Sequence, residues 1–252
     1  MLCPYEDVNA VLLALRDEAQ AVLGKRFVGL YLYGSLSSGD FNIHSSDIDF
    51  LVITDGYLPE KMVTALEALH TRLWDSDMKW AAKLEGSYLP QACLRRYNPV
   101  DGPFPCINEG KFYLAHHGSD WVIQRYILRE NGVAVAGPDI RPMIDPVSPD
   151  EIREAVLGIM GEWWRPMLDD PTFLTRRDYQ AYATLTMCRA LHALRYGSIV
   201  SKPVAARWAQ QEYGQWAGLI ERALAWPEGE QTDEMGKTLD FLRFILEQDD
   251  DQ

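Results

Sequence analysis

The stretch Tyr33-Gly-Ser-Leu-Ser-Ser-Gly-Asp-Phe-Asn-Ile-His-Ser-Ser-Asp-Ile-Asp49 decides how this chain reads. A Gly-Ser turn opens it, and two aspartates one residue apart close it. Apolar runs flank both ends: Phe27-Val-Gly-Leu-Tyr-Leu-Tyr33 before, and Phe50-Leu-Val-Ile53 after. Each has the length and the aromatic or β-branched content of a buried strand. Strand side chains alternate, so Asp47 and Asp49 point to one face. Two carboxylates so close repel unless a cation lies between them. Hard oxygen ligands suit Mg²⁺, which usually reaches a protein with phosphate attached. Gly34 and Ser35 add backbone N–H groups and a hydroxyl, the groups a triphosphate needs. A Gly-Ser turn alone is most often a loop, and an Asp-x-Asp alone is most often surface charge. Here the acids are embedded among Ile48, Phe50, Leu51 and Val52, where burying them unpaired is costly. The segment asks for a metal–nucleotide.

Working outward, residues 6–23 place Val8, Val11, Leu12, Leu15, Val22 and Leu23 at helical spacing. Strands follow near 27–33 and 47–54. A second helix runs from Pro59 to Trp74, with Met62, Leu66, Leu69 and Leu73 on one stripe. In Trp80-Ala-Ala-Lys-Leu-Glu-Gly-Ser-Tyr88, strand alternation puts Lys83, Glu85 and Ser87 on one face and Ala82 and Leu84 on the other. Residues 97–118, rich in Pro, Gly and Asn, predict a long loop facing the substrate. Ser119 is expected to cap a helix carrying Val122, Ile123, Tyr126 and Ile127. Asn131-Gly132 ends it, and Val133-Ala-Val135 predicts a last short strand. Asp145-Pro-Val-Ser-Pro-Asp-Glu151 reads as a linker turning into a helix start, with Ser148 as N-cap and Glu151 three residues on. Beyond it the chain predicts helices over 149–164, 175–196, 202–212, 215–226 and 231–248. The acidic end Asp249-Asp-Asp251 is expected to fray.

Composition bounds the function. The 252 residues suffice for two domains, and 47% hydrophobic content supports real cores. Residues 11–23 are apolar on one face but carry Arg16, Asp17 and Glu18, which marks an amphipathic helix and not a leader peptide. No run approaches the ~20 apolar residues a membrane span needs. Cys3, Cys93, Cys106 and Cys188 show no metal spacing and read as free thiols of a cytoplasmic protein. The histidines show no ligand pattern, and His116-His117 reads as loop or surface. A net charge of −13 without a basic stripe argues against tracking nucleic acid and suits a cationic small molecule.

The Gly34-Ser35 turn with Asp47 and Asp49 resembles the nucleotidyltransferase superfamily that includes DNA polymerase β. Its signature ends in a third carboxylate on a later strand, for which Glu85 is the candidate. Three further stretches are Asp120-Trp-Val-Ile-Gln…Val133-Ala-Val-Ala-Gly-Pro-Asp…Ile144-Asp-Pro-Val, Leu185-Thr-Met-Cys-Arg-Ala-Leu191 and Tyr196-Gly-Ser-Ile-Val-Ser-Lys-Pro-Val-Ala-Ala-Arg-Trp-Ala209. With the first motif they are similar to the aminoglycoside adenylyltransferases, which modify the 3″ hydroxyl of streptomycin or the 9 hydroxyl of spectinomycin. The resemblance implies an α+β architecture. A nucleotidyltransferase domain over residues 1–148, with a mixed sheet and flanking helices, precedes an all-helical bundle over 149–252.

The resemblance also implies roles. Ser35 and Ser46 match serines near the phosphates, Asp47 and Asp49 the metal ligands, and Glu85 the catalytic base. Arg189 and Lys202 match cationic residues reaching the nucleotide, and Trp226 falls where the family has an aromatic near it. Asp178, Tyr182, Leu185, Arg189, His192 and Tyr196 share one face of one helix, expected to line a cleft between domains. Asp178 and Tyr182 are the acceptor candidates on it. Tyr179 occupies the position where the family has a substrate-contacting acid, and Arg96–Gly118 has no counterpart of its tryptophan-containing loop. The expected function is Mg²⁺-dependent transfer of AMP from ATP to an aminoglycoside hydroxyl, by a monomer. Its rivals are the same chemistry on a protein or metabolite acceptor, and a nucleotide-binding module without catalysis.

Overall fold

The computed structural model describes residues 3–226, 228–229 and 232–249. It divides into two compact units, Met1–Pro146 and Val147–Gln252. The first is a mixed sheet with helices and the second is helical, so the class is α+β.

In the first unit, α1 (Glu6–Leu23) precedes β1 (Phe27–Leu32). A single-turn helix, α2 (Gly34–Ser38), follows where the sequence predicted only a turn. Then come β2 (Ile48–Thr54), α3 (Glu60–Trp74), β3 (Leu84–Pro90), β4 (Phe104–Asn108), β5 (Lys111–Ala115), α4 (Asp120–Asn131) and β6 (Val133–Ala136). The six strands lie in the order β5-β4-β3-β2-β1-β6. Only β2 and β3 run parallel, and α3 is the crossover that parallel neighbours require. Alternate residues of the sheet, among them Leu30, Leu32, Ile48, Phe50, Val52, Leu84, Tyr88 and Ile107, form one core with α1 and α3. Helix α1 contributes Val8, Val11, Leu12, Leu15 and Ala19 at the predicted spacing. The other set, including Asp49, Glu85 and Ser87, faces the opposite side.

Three expectations are corrected in this unit. Residues 97–118 are not a single loop, since they contain the β4–β5 hairpin, turned at Glu109–Gly110 with φ of 47° and 72°. The two strands carry Phe104, Ile107, Phe112 and Tyr113, strand formers that the surrounding Pro, Gly and Asn masked. Ser119 precedes α4, but its backbone is already helical and its side chain makes no cap hydrogen bond. His117 is buried, 6% exposed, instead of lying on the surface.

The second unit opens as predicted: Ser148 and Glu151 form a capping box at the start of α5 (Pro149–Ile159). That helix runs on through a wider turn at Met160–Trp164. The central helix is α6 (Arg177–Tyr196), against which α5, α7 (Lys202–Glu212), α8 (Ala217–Leu224) and α9 (Met235–Asp249) pack. The expected helix 215–226 is shorter, ending at Leu224. The expected start of the last helix at 231 and the acidic end from Asp250 lie outside the described residues. The four cysteines are buried thiols. Among the described residues no helix is long and apolar enough to cross a membrane.

Candidate active site

Sheet register assembles the first part of the site. Asp49 in β2 stands directly beside Glu85 in β3. Carrying the β1–β2 register one step past Leu32↔Phe50 brings Tyr33 opposite Asp49, and the Tyr33 N–H donates to the Asp49 carbonyl at 3.2 Å. On the far side, Asn108 of β4 donates from Nδ2 to Glu85 Oε1 at 3.2 Å. Tyr33, Asp49, Glu85 and Asn108 thus form a row across four strands.

Gly34 sits against this row. Its φ is +66°, and a Cβ there would lie 1.9 Å from Asp49 Oδ2. Both facts require glycine. The close approach lets the backbone of α2 start next to the Asp49 carboxylate. Ser35 is the second residue of α2. The Ser46 hydroxyl accepts from the Asn42 N–H at 3.0 Å and closes the loop that leads to Asp47.

Asp47 lies just outside β2, half-exposed, with its Oδ1 3.0 Å from Lys83 Nζ. The Tyr33 phenol is held well above its usual pKa, first by burial and then by the negative charge of Asp49, Glu85 and Asp120. Asp120, at the start of α4, is an acid that motif reading missed. Its charge also raises the Cys106 thiol, after burial.

Magnesium can be tested against these residues. Among the described residues no three His, Cys, Asp or Glu side chains are grouped to hold a metal on their own. Mg²⁺ does not need such a cage, because it typically takes one or two carboxylates and fills its shell from phosphate and water. Two oxygen donors beside a glycine-started backbone turn fit that mode, with Lys83 supplying the opposite charge at Asp47.

Behind the row lies a second missed group. His117 pairs with Ser87 Oγ at 3.1 Å and stacks on Trp121 with ring centres 3.5 Å apart. Its imidazole pKa is lowered to about 3, chiefly by burial and then by Arg125 and His116. Arg125 is itself buried and donates to the carbonyls of Cys93, Leu94 and Trp121. The bonds to Cys93 and Leu94 tie α4 to the turn that follows the strand carrying Glu85.

The second unit holds the other predicted residues. On α6, Gln180, Ala181, Thr184, Met187, Cys188 and Leu191 are buried in the bundle. Tyr182 and Tyr196 of the predicted face are 42% and 51% exposed. Lys202 is the first residue of α7, where the helix dipole disfavours a cation. Its Nζ lies 4.0 Å above the Tyr182 ring, a cation–π contact that offsets the mismatch. Arg189 is half-buried on the same face as Tyr182. Asp178 is engaged by Arg176, at 2.5 and 3.2 Å, which holds its carboxyl below the usual range. Tyr179 accepts from Trp163 Nε1 at 3.1 Å.

Trp226 is separated from these. It lines a cavity of about 20 Å³ together with Arg177, Gln180, Ala181 and Thr184, on a different row of α6 from Arg189. That is room for about one water.

Comparison with known proteins agrees with this two-part layout. Residues 17–86 match the model of the nucleotidyltransferase domain, and residues 142–246 match that of the aminoglycoside adenylyltransferase C-terminal domain. Spectinomycin 9-adenylyltransferases of Staphylococcus aureus, including those of strains Mu50 and N315, are 24% identical over 201 residues, which cover 75% of this chain and 72% of theirs. The crystal structure of spectinomycin adenyltransferase AAD(9) from Enterococcus faecialis with ATP and spectinomycin has the same fold. Its TM-score is 0.73 at 18% identity, covering 95% of this chain and 99% of that one.

Proposed function

We propose that this chain, which belongs to the aminoglycoside adenylyltransferases, moves AMP from ATP to a hydroxyl of spectinomycin, with streptomycin as second candidate, and releases pyrophosphate. The observation that carries the chemistry is the register pair Asp49–Glu85, with Gly34 packed onto Asp49. Spectinomycin comes first because the Staphylococcus aureus relatives are named for it and the Enterococcus faecialis structure contains it.

In this reading Glu85 takes the proton of the acceptor hydroxyl. The freed oxygen forms a bond to the α-phosphorus as the bond from that phosphorus to the pyrophosphate oxygen breaks. Gly34, Ser35 and Ser46 receive phosphate oxygens through N–H and O–H groups. Arg189 and Lys202 add positive charge on the nucleotide, Lys202 as a point charge and Arg189 as a fork. Magnesium, when bound, would be held by Asp47 and Asp49 and would neutralise charge developing on the phosphates. Most of the catalysis expected of such a site is positioning and electrostatics.

The acceptor is the part with least support in the side chains. Asp178 already pairs with Arg176, and Tyr182 already carries Lys202. A cationic acceptor must compete with Arg176 for Asp178. The engaged Asp178 and the tyrosine at 179 favour a second reading, in which the same transfer goes to another hydroxyl compound.

Pyrophosphate release from ATP and Mg²⁺ with spectinomycin, streptomycin or no acceptor separates the two readings. Release that depends on spectinomycin, and raised tolerance to it in a sensitive bacterium expressing the chain, is the expected outcome. ATP binding with no acceptor-dependent release on either drug would overturn the acceptor and leave the nucleotidyl chemistry standing.

A further inference from the structure

The parallel pair β2–β3 has two ends, and the row of Asp49 and Glu85 occupies one of them. The register runs from Asp49↔Glu85 to Thr54↔Pro90, five residues further along each strand. That is about 16 Å at ~3.3 Å per residue. At the far end a cavity of about 250 Å³ lies between the strand ends and the first turns of α3, where Glu60 and Val63 line it. Thr54, Tyr88 and Pro90 belong to the alternating set that includes Phe50 and Val52, so the cavity is on the α3 face of the sheet. Asp49 and Glu85 face the other side. A cavity of ~150 Å³ in a protein core already takes up benzene, so this one has room for a ring and a short side arm.

Its walls are apolar and held in place. Tyr57 and Leu114, 53% and 55% exposed, stand among the lining residues as large side chains left open to water, while Tyr88 and Phe104 are buried. The Tyr57 ring stacks on Phe104 with centres 6.1 Å apart. Its hydroxyl is pinned, accepting from the Gly102 N–H at 3.2 Å and meeting Cys93 Sγ at 3.5 Å. An exposed ring anchored in this way has little freedom left to lose on contact. The other hydroxyls of the lining are engaged too. Thr54 Oγ1 donates to the Gly56 carbonyl at 2.9 Å, and the Tyr88 hydroxyl meets His70 Nε2 at 2.8 Å. Pro90, Pro103 and Pro105 have no N–H to offer. Among the described residues of the lining, Glu60 carries the only charge.

These features define a ligand. A polar group carried deep into the cavity would lose water and find its partners already taken, so the body of the ligand must be apolar. The tyrosine and phenylalanine rings suit a ring as that body. The Glu60 carboxylate calls for a cation at one end. The chain's net charge of −13 draws cations and repels anions. We propose that this cavity is a second ligand site, for a small molecule with one apolar ring and a single amine that meets Glu60. The site shares no residue with the row of Asp49 and Glu85 and stands whether or not the transfer chemistry is as proposed.

The test uses the full chain with 2-phenylethylamine as probe, and 2-phenylethanol and 3-phenylpropionate as its neutral and anionic counterparts, in NMR titrations and in a crystal soaked with the amine. The amine should saturate with a Kd on the order of 1 mM. It should bind about threefold to tenfold more tightly than the alcohol, and the acid more weakly than either. In the crystal its ring should lie against Tyr57 and Phe104. Glu60→Gln should abolish the preference for the amine and leave the alcohol within about twofold. Leu114→Arg, which sets a cation beside the cavity, should weaken the amine at least about tenfold. Both positions are exposed, so each variant should melt within about 2 °C of the parent, which separates lost binding from lost fold. Amine binding that survives both substitutions lies elsewhere on the chain and overturns the proposal. Equal affinity for amine and acid overturns it as well, and so does a ring seen in the soaked crystal without saturation in solution, which is binding at crystal concentration only.

Discussion

The sheet of the first unit and the α6–α7 face of the second present their chemistry in different ways. In the sheet, backbone pairing sets the neighbours: Asp49 beside Glu85, Asn108 beyond it, Gly34 pressed onto Asp49. On the helices, Tyr182, Arg189 and Lys202 share a half-exposed face through long side chains, with the Lys202 ammonium over the Tyr182 ring. A strand row has one arrangement, whereas a helix face has as many as its rotamers permit. Substitution in the row should therefore be close to all-or-none, and substitution on the face graded.

The largest effect is expected at Asp49. Asp49→Asn should reduce turnover by at least about 10³-fold, since it removes a charged oxygen ligand from the proposed divalent site. It should leave the melting temperature unchanged or raised, because repulsion with Glu85 is relieved. Gly34→Ala should cost comparable activity by a different route. Its methyl group would displace the Asp49 carboxylate and occupy a left-handed backbone position, with a stability loss of about 1 kcal/mol or more. Calorimetry beside turnover tells the two apart. Full activity in either variant would break the claim that register fixes this site.

Lys202→Ala and Arg189→Ala should have smaller effects, weakening ATP binding about tenfold each as one charge-assisted contact is lost. Titration calorimetry with Mg²⁺–ATP measures this directly. If both variants bind ATP as tightly as the parent, the face is ordinary helix surface and the site belongs to the sheet alone. Lys202→Arg should recover part of the affinity.

What could be read from the sequence follows the same division. Asp47 and Asp49 were legible from their spacing beside an apolar strand, and Glu85 from the resemblance together with strand alternation. Asn108 was not, because Pro103, Pro105, Gly102 and Gly110 give its surroundings the composition of a loop, and only pairing with β3 and β5 makes them strands. The turn hid as well, since Glu109 adopts the left-handed conformation usually left to Asn or Gly. His117 and Arg125 carried no local signal, as their burial depends on Ser87 and on carbonyls some thirty positions away in the chain. On α6 the helix and the shared face of Tyr182 and Arg189 were legible by period, and the function of that face came from resemblance.

The last effect concerns stability and not turnover, and it again falls on the first unit, which holds four of the five histidines. His70 is buried against Phe50 and Phe112, meets the Tyr88 hydroxyl at 2.8 Å, and has its pKa lowered by burial to about 4. His117 is lowered to about 3. Both are neutral in the folded chain and regain a pKa near 6.5 when unfolded. Between those values the unfolded state binds more protons, so stability is complete above about pH 6.5 and declines as the pH falls toward 4. At pH 4.5 each histidine should have withdrawn about 2.5 kcal/mol, at ~1.4 kcal/mol per unit over two units. Thermal unfolding measured from pH 7.5 to 4.5 should show this decline, and His70→Gln should flatten it by about one proton while lowering stability at neutral pH. A variant whose melting temperature falls with pH as steeply as the parent's would show that His70 takes up its proton without unfolding, and that the core of the first unit admits charge.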